Sequence, residues 1–184
     1  MVLLLADIKI GITGLPGAGK TYALSTVIDM LRKEGYTVGG MMNESVLDGR
    51  QKKGVAVRNI ETGELGVFAH VDIESRTVIG KYGIDTSKLE DVGVKAIEHA
   101  AANCDVVVID EIGRMEVESK LFVDTVTEAM KLSKPMILTL HKKSRNPLLQ
   151  EIRRRDDVRI LEVTPPNRTL LPYKIFRLIQ GEAH

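Results

Sequence analysis

Apolar and polar positions along the chain follow two periods, one typical of buried strands and the other of amphipathic helices. Five short apolar runs predict strands, at 8–12, 36–42, 105–109, 136–140 and 158–163. Between them, apolar residues recur every three or four positions. The predicted buried face of the first helix is Ala23, Leu24, Val27, Ile28 and Leu31. Strands that alternate with helices predict an α/β fold, in which helices cover both faces of a mainly parallel sheet.

Four more helices follow from the same pattern. They are predicted at 86–103, 118–132, 146–155 and in a terminal stretch that starts at 164–169. Thr86 or Ser87 is the expected N-cap of the helix at 86–103, with Glu90 three residues after Ser87 as in a capping box. A short strand or irregular connection is expected at 78–84, before this helix. The residues that the terminal helix is expected to bury are Leu170, Leu171, Ile175, Phe176 and Ile179.

The segment at about 43–72 interrupts this alternation. Its apolar runs at 55–60 and 65–71 flank a turn that contains Gly63, which predicts a β-hairpin insertion. The polar residues before the hairpin, 44–53, are interpreted as a mobile insertion, with an ordinary solvated loop as the alternative.

A glycine-rich turn joins the first strand to the first helix. Residues 14–21 match the phosphate-binding pattern G-x-x-x-x-G-K-[ST] at every fixed position, between a strand and a helix as that motif requires. Glycine lets the backbone curl around an anion, so that successive N–H groups and the start of the helix point at it. The residues predicted to bind phosphate are Gly14, Leu15, Pro16, Gly17, Ala18, Gly19, Lys20 and Thr21.

Two side chains of this turn have predicted roles of their own. Lys20 should reach the β- and γ-phosphates of a nucleoside triphosphate, and the hydroxyl of Thr21 should ligate Mg²⁺. The alternative is a glycine-rich surface turn without a ligand, which the flanking strand and helix disfavour.

Two carboxylates follow the most apolar strand, 105–109. Asp110 and Glu111 should therefore lie at the carboxyl edge of a parallel sheet, where ligands of open α/β folds bind. We expect Asp110 to hold Mg²⁺ through a water molecule, and Glu111 to orient and deprotonate the attacking water. Either carboxylate could instead be a helix cap or one half of a surface ion pair.

Other polar residues close to these elements are also candidates. Arg114 follows Glu111 by three residues and could stabilise transferred charge, although a solvent-facing or partner-paired arginine is an equal alternative. Thr139 or His141, at the end of the 136–140 strand, could sense the γ-phosphate. A lone histidine after a strand is more often structural.

Composition narrows the class of protein. The chain has 184 residues, which suits one domain spanning 1–184, and its apolar fraction of 43% is that of a soluble globular protein. A net charge of +1 provides no strong electrostatic surface, so neither nucleic acid nor a membrane is expected as a partner. The basic run 153–155 is expected to be a solvated helix end.

Cysteine usage and the first residues favour the cytoplasm. Cys104 is the single cysteine, which excludes an internal disulfide, and its small apolar neighbours indicate a packed core thiol. The apolar opening 2–6 is too short for a signal-sequence core or a membrane span. We expect a cytoplasmic monomer or weak oligomer.

With these motifs placed, the chain resembles the family of small thermophile and cancer-related nucleoside-triphosphatases, which are RecA-like P-loop proteins with a catalytic glutamate. The resemblance spans almost the whole chain. It rests on 11–21, 81–85, 107–116, 139–144 and 167–168. The run Ile-Asp-Glu-Ile-Gly-Arg-Met-Glu within 107–116 is far more specific than the phosphate loop alone.

The resemblance implies a three-layer RecA-like domain that hydrolyses ATP, GTP and other nucleoside triphosphates to diphosphates with Mg²⁺ and little base preference. It assigns that family's chemistry to Lys20, Thr21, Asp110 and Glu111, and a basic position to Arg114.

One segment departs from the family pattern, which usually has Glu-x-Arg, a glycine-rich Arg segment and Gly-Phe. Here Val46 replaces the first arginine and Val55 the aromatic residue, which leaves the substrate contacts of 44–54 open. Asn167 and Arg168 are the candidates for the base pocket.

Magnesium-dependent hydrolysis of nucleoside triphosphates is the leading hypothesis, because Glu111 lies where a base for water is needed. A nucleoside or small-metabolite kinase is the main alternative, and Arg50, Lys52 and Lys53 could supply the basic lid it requires. A signalling GTPase is disfavoured because no Asn-Lys-x-Asp sequence occurs. A non-catalytic nucleotide switch would bind tightly without turnover.

Overall fold

The computed structural model of this chain describes residues 4–182. The apolar opening 2–6 is expected to be neither a signal-sequence core nor a membrane span. Its first two residues lie outside the described residues. Within 4–182, no helix combines the length and the apolar character needed to cross a membrane.

Strands and helices alternate along most of the chain. The strands are β1 (Lys9–Thr13), β2 (Val38–Asp48), β3 (Gln51–Asn59), β4 (Leu65–His70), β5 (Val78–Ile79), β6 (Tyr82–Ile84), β7 (Val106–Ile112), β8 (Met136–Leu140) and β9 (Val158–Glu162). The helices are α1 (Lys20–Lys33), α2 (Thr86–Lys88), α3 (Lys95–Asn103), α4 (Lys120–Ala129), α5 (Pro147–Arg154) and α6 (Leu171–Ile179). A π-helical turn at Leu89–Val94 joins α2 to α3, and a 3₁₀ turn, Glu116–Glu118, precedes α4.

All of these strands belong to one sheet with the order β5-β6-β4-β3-β2-β7-β8-β1-β9. The pairings from β2 through β7, β8 and β1 to β9 are parallel, as the helical crossovers between these strands require. The pairings from β2 outward to β3, β4, β6 and β5 are antiparallel. The predicted α/β fold is thus confirmed, and the predicted hairpin forms β3 and β4 within the antiparallel part.

β7 shows how the sheet separates two apolar cores. Val106 and Val108 pack into the core beneath α1 and α6, whereas Val107 and Ile109 pack into the core beneath α3, α4 and α5. Because successive side chains of a strand point to opposite faces, a continuous apolar run must be covered on both sides. The arrangement of helices on both faces of the sheet, expected from the sequence, follows from this.

The expectation of a mobile insertion at 44–53 is wrong. β2 continues to Asp48 and β3 begins at Gln51, so these residues form an antiparallel ribbon with a tight turn at Gly49, where φ is +61°. The ladder is formed by backbone groups, which are independent of side-chain polarity. The polar side chains of this segment indicate exposure to solvent but not the absence of a strand, and the ribbon extends beyond the apolar cores.

Two helix starts also differ from prediction. Asp85, not Thr86 or Ser87, caps the helix that begins at α2, because its carboxylate accepts a hydrogen bond of 3.0 Å from the Ser87 N–H. The terminal helix begins only at Leu171, with proline in its first turn, and Leu170 is 70% exposed instead of buried. The predicted buried face of α1 is confirmed in full.

Cys104 is buried, which confirms the predicted core thiol. Burial and a hydrogen bond with Glu61 raise the pKa of this thiol to about 11. The thiol therefore stays protonated at neutral pH and is a poor nucleophile.

Lys9 is a fully buried cation at the start of β1. Its ammonium group donates hydrogen bonds to the backbone oxygens of Leu132, at 2.7 Å, and Lys134, at 3.4 Å. It also bonds the carboxylate of Asp7 at 2.8 Å. These contacts satisfy backbone oxygens of the segment that follows α4 and hold that segment against the start of β1.

We predict that Lys9→Ala lowers the free energy of unfolding by about 3 kcal/mol, because it leaves buried oxygens without donors. The matched control is Lys131→Ala, which removes an exposed lysine paired with Glu128 and should cost less than about 1 kcal/mol. Urea unfolding followed by circular dichroism measures both. Equal losses in the two variants would contradict a structural role for the buried ammonium group.

Candidate active site

A cavity of about 440 Å³ opens at the carboxyl edge of the parallel strands. Its walls are the phosphate loop after β1, the end of β7, the loop after β8 and the outer parts of β2 and β3. Loops that follow parallel strands meet at this edge, which is why ligands of open α/β sheets bind there. The lining residues are Gly14, Leu15, Pro16, Lys20, Thr21, Asn43, Glu44, Ser45, Lys52, Val55, Asp110, Glu111, Met115, His141, Lys142 and Lys143.

Strand order determines the distance between the phosphate loop and the carboxylates. β8 lies between β1 and β7, and since neighbouring strands are about 4.8 Å apart, the ends of β1 and β7 are separated by about 10 Å. The gap is wide enough for a metal ion and phosphate oxygens. Lys20 spans it, with its ammonium nitrogen 3.6 Å from Oε2 of Glu111.

The phosphate loop has the tight curl that the motif requires. Gly17 and Gly19 have φ values of +80° and +111°, which residues with a Cβ atom rarely adopt. A Cβ atom on Gly14 would lie 2.8 Å from the carbonyl oxygen of Val163, so only glycine fits beside the end of β9. Among residues 4–182, no side chain caps the first turn of α1, and its N–H groups are therefore available to an anion.

Asp110 is a buried carboxylate at the end of β7, with 8% of its surface exposed. Its Oδ1 accepts a hydrogen bond of 2.6 Å from the hydroxyl of Thr139 on β8. Burial raises the pKa of Asp110 to about 6, against the opposing effect of Thr139 and with a further contribution from the charge of Glu111. Thr139 contacts Asp110 and does not line the cavity, so it orients the carboxylate.

His141 lies on the cavity wall in the loop after β8. Its Nδ1 accepts a hydrogen bond of 3.1 Å from the Ser144 N–H, which is a structural contact. Arg153 of α5 clamps the same loop, donating to the backbone oxygens of His141 at 2.7 Å and Ser144 at 2.9 Å.

The expectation that 153–155 is a solvated helix end is therefore wrong for two of its three residues. Arg153 binds the cavity loop, and Arg155 pairs with Asp157 at 2.7 Å and donates to the Met130 oxygen at 2.9 Å. Arg154 is exposed, as expected. The helix directs the first of these side chains toward the loop carbonyls of His141 and Ser144, which sequence alone does not show.

Three other candidates lie off the cavity wall. Arg114 is exposed and does not line the cavity, because the chain turns away into the 3₁₀ segment after Gly113. Asn167 closes a turn, accepting from the Thr164 N–H at 2.8 Å and donating to the Glu162 oxygen at 2.9 Å. Arg168 packs on the phosphate loop, since a Cβ on Gly19 would lie 3.0 Å from its Cδ.

The structure adds Lys52 to the cavity, which sequence analysis did not single out from its basic neighbours. A β-bulge between Val46 and Leu47 pairs Leu47 with Lys52, and Lys53 is the extra residue of the bulge. Lys52 thus shares the face of Val55 and lines the cavity, whereas Lys53 lies on another surface of the ribbon. A plain alternation of faces would have placed Lys53 with Val55, so the register, not the composition, selects Lys52.

The lysines of the cavity wall differ in their partners. Lys20 lies near Glu111, and Lys142 pairs with Glu162. Among residues 4–182, no carboxylate forms an ion pair with Lys52 or Lys143. Two uncompensated cations therefore face a cavity that already contains the phosphate loop, as a polyanionic ligand requires.

Comparison with known proteins identifies relatives along nearly the whole chain. A sequence model of the family described as NTPase matches residues 9–176. The chain is 39% identical over 175 residues to nucleoside-triphosphatase THEP1 of Picrophilus torridus, covering 95% of this chain and 97% of the relative. It is also 39% identical over 175 residues to the THEP1 protein of Thermoplasma acidophilum, with the same coverage of both chains.

Two solved structures have the same fold. The crystal structure of THEP1 from Aquifex aeolicus superposes with a TM-score of 0.83 at 31% identity, covering 94% of this chain and 99% of that one. The solution structure of a human cancer-related nucleoside triphosphatase gives a TM-score of 0.81 at 29% identity, with 96% and 100% coverage.

We predict that Lys52→Ala weakens binding of a nucleoside triphosphate by about tenfold, since it removes a cation from the cavity wall. Lys53→Ala is the matched control: it removes the same charge one residue away, from another surface, and should change the affinity by less than about twofold. Calorimetric titration with a non-hydrolysable triphosphate at fixed salt gives both values. Equal effects would show that net charge alone, and not the register of β3, controls binding.

Proposed function

Because the chain belongs to the NTPase family, we propose that this nucleoside-triphosphatase uses bound Mg²⁺ to hydrolyse nucleoside triphosphates to nucleoside diphosphate and phosphate. The observation that carries the proposal is the shared cavity: Lys20 and Thr21 of the phosphate loop line it together with Asp110 and Glu111 of β7. Phosphate, metal and water chemistry can therefore take place in one space.

The donors at this edge fit Mg²⁺. The Thr21 hydroxyl and the Asp110 carboxylate are hard oxygen ligands, which Mg²⁺ prefers. Burial and the neighbouring charge of Glu111 make an ionised Asp110 costly, and a divalent cation would offset that cost. When bound, Mg²⁺ would neutralise charge on the β- and γ-phosphates.

The phosphate loop and Lys20 would bind the polyphosphate. The uncapped N–H groups at the start of α1 supply neutral donors, and Lys20 supplies a positive charge. The ammonium nitrogen of Lys20 lies 3.6 Å from Oε2 of Glu111. A bound γ-phosphate would compete for Lys20, which would leave the Glu111 carboxylate available to a water molecule.

Glu111 is proposed as the general base. Its side chain is 27% exposed, so water can reach it, and it lies next to the proposed magnesium ligand Asp110. A carboxylate in that position can align water for in-line attack and accept its proton. Arg114 is proposed to stabilise the transferred charge, which requires its exposed side chain to turn toward the cavity when nucleotide binds.

We also propose broad tolerance of the base, which the lining of the cavity supports. Within the described residues, no Phe, Tyr or Trp lines it, so it offers no platform for stacking a base. The lining is mainly suited to the phosphates that all nucleoside triphosphates share. We further propose that the chain works as one domain, because its described strands form one sheet. The proposed location is the cytoplasm and the proposed state a monomer or weak oligomer.

We predict that Glu111→Gln keeps nucleotide and Mg²⁺ affinity within about threefold of wild type but lowers turnover by about 10²–10⁴-fold, because the amide cannot accept the proton. Lys20→Ala should weaken binding as well, since it removes a phosphate contact. Steady-state phosphate release and calorimetric binding separate the two effects. Undiminished hydrolysis by Glu111→Gln would remove Glu111 from the mechanism.

Water, not a second substrate, should accept the phosphoryl group. The purified protein with Mg²⁺ should release one phosphate from each of ATP, GTP, CTP and UTP without any acceptor, with kcat/KM values within about tenfold of one another. Addition of nucleosides or small metabolites should not raise consumption of the triphosphate. Acceptor-dependent consumption with formation of a phosphorylated acceptor would favour the kinase alternative.

A further inference from the structure

Glu116 is a fully buried carboxyl group that the proposed reaction does not use. It is 1% exposed, lies in the 3₁₀ turn after β7, and does not line the cavity. The Nδ2 of Asn43 donates a hydrogen bond of 3.0 Å to its Oε1. Asn43, on β2, does line the cavity.

The remaining oxygens of this pair have no partner. Within residues 4–182, Oε2 of Glu116 and Oδ1 of Asn43 are the buried side-chain atoms without a hydrogen bond. An ionised carboxylate only accepts hydrogen bonds, as does an amide oxygen, so these two atoms cannot satisfy each other if Glu116 is charged. One proton on Oε2 changes this, because the acid can then donate to the amide oxygen while the amide donates to Oε1. Acid and amide would then satisfy each other through two hydrogen bonds, of which the one from Nδ2 to Oε1 is present.

The charges around Glu116 favour that proton. The charged groups that act on it are Glu111 and Asp110, both at the end of β7, and β2 contributes the neutral Asn43. Burial, and after it the charge of Glu111, raises the pKa of Glu116 to about 8. An ionised Glu116 would be a third negative charge in this corner of the molecule.

The position of the pair shows what it supports. The parallel ladder of β2 with β7 ends where Met41 pairs with Ile109, and beyond it β2 pairs with β3 alone. The cavity opens where these two strands separate. The bond from Asn43 to Glu116 bridges them behind that opening and so connects the antiparallel ribbon to the residues after β7.

Glu116 also lies near the proposed base. A Cβ atom on Gly113 would lie 3.3 Å from Cγ of Glu111 and 3.5 Å from Oε2 of Glu116, so both side chains flank this glycine. The backbone N–H of Asn43 in turn acts on Asp110, whose pKa it lowers. Glu116 is therefore a neighbour of Glu111, and Asn43 is a neighbour of Asp110.

We propose that Glu116 is a positioning residue for the hydrolysis proposed above: as a neutral acid it forms a two-hydrogen-bond pair with the Asn43 amide, which holds β2 against the end of β7 and keeps Glu111 in place. The inference rests on the proposed function for its effect on turnover. The acid–amide pair itself does not depend on that function.

Glu116→Gln and Glu116→Ala test the proposal, with Glu118→Ala as matched control. Glutamine reproduces the neutral acid, because its amide can donate to Oδ1 and accept from Nδ2 of Asn43. We expect Glu116→Gln to keep kcat within about threefold of wild type, and Glu116→Ala to lower kcat by at least about tenfold. Glu118 is exposed in the same turn, and its loss should leave turnover unchanged.

The pH dependence of stability provides a readout that needs no activity. Folded Glu116 keeps its proton up to about pH 8, whereas an unfolded glutamate releases it near pH 4.5. The folded state therefore binds more protons in this interval, and the stability of the wild type should fall relative to Glu116→Gln as pH rises from 5 to 8. Carbon-13 NMR of the Glu116 carboxyl group reports its titration directly.

Each outcome decides the question. A carboxyl signal that titrates near its ordinary pKa, a loss of kcat of tenfold or more in Glu116→Gln with nucleotide affinity retained, or wild-type kcat in Glu116→Ala would overturn the proposal. If Glu116→Ala does not fold, retained turnover in Glu116→Gln together with the NMR titration decides it. Failure of the proposed function is distinguishable, because it would appear as a wild-type protein that releases no phosphate without an acceptor, with the NMR titration of Glu116 unaffected.

Discussion

A buried carboxylate at the end of an apolar strand is the constraint on which the rest of this site depends. β7 is covered on both faces, so its polar continuation can meet a ligand only at the sheet edge that the helices leave open. β8 separates this strand from β1 and its phosphate loop. Asp110 is held there by Thr139, and Lys20 reaches across toward Glu111. The carboxylates at the end of this buried strand need positive charge nearby, and the cavity is the space in which Lys20 and a bound cation can supply it.

Negative charge in this corner has to be limited as well as balanced. Burial raises the pKa of Asp110 and of Glu116, and the charge of Glu111 raises both further. The proposed cation beside Asp110 and the proposed proton on Glu116 would solve the same electrostatic problem in two ways. Glu111, the most exposed of the three, is left as the carboxylate that can act on water. A division of roles among neighbouring carboxyl groups follows from their different burial.

The antiparallel ribbon of β2 and β3 contributes the other wall, and its role could not be read from residue types. The residues at 44–53 are polar, which is equally compatible with a loop and with a ribbon that extends beyond the core. Cross-strand register, including the bulge beside Val46, decides that Lys52 and not Lys53 reaches the cavity. Asn43 connects this ribbon to Glu116, so a side-chain hydrogen bond joins the antiparallel part of the sheet to the segment that follows β7.

The sequence by itself determined the phosphate loop, the apolar strand with its two carboxylates, and the alternation that makes an α/β sheet. These signals are local: a glycine turn, a β-branched run and a helical period depend on neighbours in the chain. Tertiary structure alone decided that Arg153 clamps the His141 loop, that Arg114 is exposed and does not line the cavity, and that Glu116 pairs with Asn43 across 73 positions. Such contacts depend on burial and register between distant segments, and neither property is encoded in any one segment.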